Sequence, residues 1–61
     1  MIEVEFYYQR INGKWYSGSK TFHDPHKALR FIYKINTSAN MVFNTINCDD
    51  PWDESYIRRR I

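Results

Sequence analysis

The chain has 61 residues, 18% of them aromatic and 26% charged, with nine Lys and Arg against seven Asp and Glu. A net charge of +2 is too small to demand a polyanionic partner, and a lone cysteine, Cys48, excludes an intramolecular disulfide and with it a stapled secreted miniprotein. No window approaches the ~20 apolar residues that span a bilayer, and the acidic, alternating start (Met1-Ile2-Glu3-Val4-Glu5) is unlike a signal peptide, so no membrane partner and a cytoplasmic location are expected.

Residues 1–61 read as a single small domain. A chain of this size buries only about 60% of its unfolded surface, so large aromatic rings must carry much of its core. Residues 2 to 9 alternate, with Ile2, Val4, Phe6 and Tyr8 on one side and Glu3, Glu5, Tyr7 and Gln9 on the other. Asn12-Gly13 is a strong signal for a two-residue type I′ hairpin turn. Such a turn sets Arg10 opposite Trp15, Tyr8 opposite Ser17 and Glu5 opposite Lys20, the last an ion pair across the strands. The second strand runs from about Lys14 to Phe22, and its small Ser17-Gly18-Ser19 centre predicts a bulge or a close backbone approach.

Asp24-Pro25 then opens a helix: the carboxylate accepts from first-turn amides, and proline suits the first helical position. Ala28, Phe31, Ile32 and Ile35 form its apolar stripe, with Leu29 at the margin, and Lys27, Arg30 and Lys34 share a separate basic arc. Asn36-Thr37-Ser38 ends it, because these side chains compete for backbone hydrogen bonds. Met41 to Cys48 reads as a third strand, with Val42, Ile46 and Cys48 on one face and Met41, Phe43 and Thr45 on the other. Asp50-Pro51 repeats the helix-start signal, predicting a short C-terminal helix with acids at its start and Arg58, Arg59 and Arg60 at its end.

These elements predict an α+β fold: a β-hairpin, then one α-helix packed on a three-stranded antiparallel sheet (ββαβ, strand order 2-1-3), and a short C-terminal helix. One helix covers one face of such a sheet. Tyr7, Tyr16 and Phe22 are then expected on the other face, bare unless the C-terminal segment folds over them.

No motif places a nucleophile beside a base, so no catalytic residue and no enzymatic activity are expected. His23 and His26 stand three apart without the second ligand pair that a structural zinc site uses, and Cys48 reads as a small buried hydrophobe, so neither a metal nor a cofactor is expected. A 61-residue chain seldom encloses a pocket for a small-molecule substrate.

Two binding classes remain. Trp, Tyr and Arg dominate interface hot spots, which nominates Trp15, Tyr16, Trp52, Tyr56, Arg58 and Arg59 as a protein-binding set. The partner is then another protein or a second copy of the chain in a homodimer. The abundance of Asn, Ile, Lys and Tyr has the flavour of an AT-rich genome, so the expected form is a phage-like accessory or regulatory protein acting by occupying a partner's surface. The alternative is a small nucleic-acid-binding module using Lys27, Arg30, Lys34 and Arg60. Over residues 12 to 35, Gly13-Lys14-Trp15-Tyr16 followed by Phe22 to Ala28 loosely resembles the small sheet-plus-helix DNA-binding arms of tyrosine integrases and the plant AP2 domain. The chain lacks their third strand before the helix and their basic sheet residues.

Overall fold

The computed structural model describes residues 1–61 as three strands and two helices: β1 (Ile2–Gln9), β2 (Trp15–Phe22), α1 (Pro25–Asn36), β3 (Met41–Cys48) and α2 (Pro51–Arg58). The strands form one antiparallel sheet in the order β2-β1-β3, so the architecture is the α+β, ββαβ arrangement with a short C-terminal helix.

Both helices start with the same device. The Asp24 carboxylate accepts from the His26 N–H at 2.9 Å and the Asp50 carboxylate from the Trp52 N–H at 2.8 Å, each with proline at the first helical position. At the end of α1 the Thr37 N–H makes the last helical bond, to the Tyr33 carbonyl at 3.1 Å, and the Ser38 N–H turns to the Ile35 carbonyl, leaving the Lys34 carbonyl to the Thr37 hydroxyl at 3.1 Å.

The core is almost entirely branched aliphatic. Ile2 and Val4 of β1, Ala28, Ile32 and Ile35 of α1, Ile46 of β3 and Ile57 of α2 are its fully buried members. Each buried isoleucine contributes about 1.5–3 kcal/mol relative to exposure. Phe6, Phe22 and Phe31 pack around this centre, with the Phe31 ring 5.3 Å from Phe6 and 5.4 Å from Phe22. α2 packs on α1 and β3 through Ile57, on the same side of the sheet as α1. The C-terminal segment therefore does not fold over the other face.

The hairpin differs from the type I′ expectation by one residue. Arg10 N–H donates to the Lys14 carbonyl at 3.0 Å and Gly13 N–H to the Arg10 carbonyl at 2.8 Å, which closes a three-residue loop of Ile11, Asn12 and Gly13. Gly13 has φ +81° and no other residue has positive φ, so Asn12 does not adopt the left-handed conformation that a type I′ turn needs. Its side chain instead accepts from the Lys14 N–H at 2.9 Å. The register slides accordingly: Gln9 faces Trp15, Tyr8 faces Tyr16, Val4 faces Lys20, and Glu5 faces Ser19 rather than Lys20. Because side chains alternate with period two, this single residue moves Tyr16, Lys20 and Phe22 to the helix side and Trp15 to the open side.

A second one-residue event acts in β3. Glu5 pairs with Thr45 and Phe6 with Phe43, leaving Asn44 as a bulge. The strand thus changes phase. Met41 and Phe43 join Ile46 and Cys48 on the helix side, and Val42 joins Thr45 and Asn47 on the open side, reversing the expected grouping of residues 41–43. Gly18 behaves as its neighbours predict: a Cβ there would come within 3.1 Å of the Phe6 ring and 3.2 Å of Tyr8, so its bare backbone lets both rings lean across β2.

Candidate functional site

The sheet face opposite the helices is covered by no element. It divides into two halves. Tyr7 lies opposite Val42 of β3 and diagonal to Trp15 of β2, placing an aromatic-aliphatic row across all three strands. These residues are 42%, 52% and 47% exposed respectively. The other half carries Glu3 and Glu5, on the same side of β1, with the Asn47 amide donating to both carboxylates, at 3.1 Å to Glu3. No lysine or arginine of the three strands lies on this face. A carboxylate pair beside an apolar row repels phosphate and attracts a basic rim.

The helix side has the opposite charge. Lys27, Arg30 and Lys34 recur at the spacing that holds them on one exposed arc of α1. The register slip adds Lys20, whose ammonium stands 5.3 Å from the centre of the Phe31 ring and 5.6 Å from that of Phe22. The two ion pairs of the structure lie elsewhere, between the Met1 ammonium and Asp49 and between Arg58 and Glu54. None of these four cations has a carboxylate partner.

The six residues nominated for protein binding do not form one surface. Trp15 stands on the open face. Tyr16 stands on the opposite side, stacked on Tyr8 at 5.9 Å with the Arg10 guanidinium 5.5 Å from its ring centre. The remaining four belong to α2. Trp52 is 84% exposed. Tyr56 is half-buried, with its hydroxyl 3.1 Å from His26 Nδ1 and the Arg60 guanidinium 3.6 Å over its ring centre. Arg58 reaches back to Glu54 at 3.8 Å. Arg59 joins Trp52, Tyr56, Arg60 and Pro25 around a shallow groove of about 310 Å³.

Of the alternative set, Lys27, Arg30 and Lys34 are together as their spacing requires. Arg60 instead lies against the other flank of α1, where it lines a groove with Leu29, Tyr33 and Ile61. Residues the sequence did not nominate are Val42 and Lys20, whose faces depend on the bulge and the loop, and Tyr33. The exposure of Tyr33 was readable from its place outside the apolar stripe of α1.

Cys48 is half-buried opposite Ile2, and burial pushes its thiol pKa up, with Glu54 and Asp53 adding to the shift in the same direction. It is held as a protonated thiol. No three His, Cys, Asp or Glu side chains come together in a way that could hold a metal ion, and no helix is long and apolar enough to cross a membrane. No family model matches the chain, and no curated protein or solved structure matches it.

Proposed function

We propose that this chain is a non-enzymatic, cytoplasmic binding protein of the phage-accessory sort, and that it acts by occupying a surface of a protein partner through the open sheet face. The observation that supports this is the uncovered row of Trp15, Tyr7 and Val42 across all three strands. Contiguous exposed apolar groups mark interaction surfaces, and Trp and Tyr are the residue types that anchor them. Glu3 and Glu5 complete the face and define the partner: an apolar patch with a basic rim. A full contact between two copies of this face brings the carboxylates against each other or against the rings, which favours a different protein over a homodimer.

The test is affinity capture from host lysate with the wild type and three variants, followed by binding measurements on the captured protein. Trp15→Ser and Tyr7→Ser are expected to weaken binding at least tenfold, as losses of hot-spot rings do. Glu3→Lys/Glu5→Lys is expected to slow association and invert its salt dependence. Trp52→Ala is expected to bind normally. Loss of binding in Trp52→Ala with retention in Trp15→Ser would move the site to α2. A concentration-dependent dimer in sedimentation, abolished by Trp15→Ser, would make the partner a second copy.

A further inference from the structure

We infer that the helix side carries a second binding surface, for the phosphate backbone of a single-stranded nucleic acid, built from Lys27, Arg30 and Lys34 of α1 with Lys20 of β2 beside them. It lies on the side of the sheet away from the Trp15 row and is independent of it. Three observations carry the inference.

The first is charge without compensation. α1 contains no acidic residue, all four cations are exposed, and neither ion pair of the structure involves them. Arg30 stands three residues from Lys27 and four from Lys34, spacings at which like charges on a helix oppose each other. A bound polyanion relieves that repulsion.

The second is length. Residues 27 to 34 advance about 10 Å along the helix axis. That sets the three charges in a row that the backbone of one strand can follow.

The third is a place for a base. Tyr33, 73% exposed, follows Arg30 by three residues and so borders the arc at that cation, on the flank of α1 that faces Arg60, and it packs against no other aromatic ring. It lines an open groove of about 240 Å³ with Leu29 and Ile61, and Arg60 closes one side. The Tyr33 ring is a surface on which a base stacks, while the Arg60 guanidinium, already stacked on Tyr56, adds positive charge at the edge of the groove. Only an unpaired base can enter such a groove, which selects a single strand over a duplex.

The experiment is fluorescence anisotropy of a 5′-labelled oligothymidylate, and of a mixed-sequence duplex of equal length, titrated with the full chain from low to physiological salt. The plot of log affinity against log salt is expected to have a slope of about −2 to −3, at ~0.7 per phosphate neutralised on a single strand. K27Q/R30Q/K34Q is expected to flatten the slope to above −1 and to lower affinity at low salt more than tenfold. Should that triple variant lose its far-ultraviolet helical signal, the single variants each remove about 0.7 of the slope instead. Tyr33→Ala is expected to weaken single-strand binding roughly tenfold at an unchanged slope. Trp15→Ser binds as the wild type does. Absence of binding at low salt, equal affinity in folded K27Q/R30Q/K34Q, or a preference for the duplex would each overturn the inference.

Discussion

The Tyr56 hydroxyl lies 3.1 Å from His26 Nδ1, with the two rings edge to face at 5.2 Å, and this is the one hydrogen bond that joins the two helices. The Arg60 guanidinium covers the ring of Tyr56 and donates to its backbone carbonyl at 3.0 Å. A short helix with a single fully buried residue, Ile57, is thereby held at both its apolar and its polar contact with α1.

Removing only the hydroxyl should therefore cost little and removing the ring more. Tyr56→Phe is expected to lose about 0.5–1 kcal/mol, at the low end for a hydrogen bond because the site is partly solvated. Tyr56→Ala should lose more, since the packing against His26 and Arg60 goes with it. Urea denaturation of the two variants checks the order.

Ile57 decides whether α2 is part of the fold or an appendage. It shares the core with Ile2, Ile32, Ile35 and Ile46. Ile57→Val should cost about 0.5–1.5 kcal/mol and Ile57→Ala about 2–5 kcal/mol. A domain of this size has only a few kcal/mol in hand, so Ile57→Ala is expected to be largely unfolded at 37 °C by circular dichroism. A cooperative, near-native melt of Ile57→Ala would show α2 to be dispensable.

Gly13 and Gly18 are both required, for different reasons. At Gly13, with φ +81° and open space around it, the penalty is conformational: Gly13→Ala should cost about 1 kcal/mol and Gly13→Asn less. At Gly18 the penalty is steric, because a Cβ meets the Phe6 ring at 3.1 Å and Tyr8 at 3.2 Å, and Phe6 is itself packed edge to face on Phe31. Gly18→Val is expected to cost about 1–3 kcal/mol by overpacking. Thermal melts of the three variants distinguish the two causes.

Folding holds the Cys48 proton more tightly than the unfolded chain does. The folded pKa is raised, so this contribution to stability is complete below the unfolded thiol's pKa and is lost as pH rises towards the folded value. The wild type should therefore lose more stability than Cys48→Ala on going from neutral to alkaline pH. Denaturant titrations of both proteins across that range measure the difference. The native thiol should also react slowly with iodoacetamide at neutral pH.

Trp52 is nearly free of the fold, and Trp52→Ala should change stability by no more than ~0.5 kcal/mol in the same denaturation assay. It is the matched control for Trp15.

The elements, their order and the layer that α1 forms are legible in the residues alone. The signals are local: two Asp-Pro starts, a 3.6-residue apolar stripe over Ala28, Ile32 and Ile35, and alternation through Ile2 to Gln9. The Lys27, Arg30 and Lys34 arc was legible for the same reason, since helical spacing alone places it. The side of the sheet that Trp15, Tyr16, Lys20 and Val42 take is set by strand pairing in the folded chain. A strand has a period of two, so one extra residue in the loop before Lys14 and one in the bulge at Asn44 each turn a whole set of side chains over. Those events depend on how β1 pairs on both its edges at once. The place of α2 was likewise undetermined, because a single isoleucine finds its side only when α1 and β3 are already there to receive it.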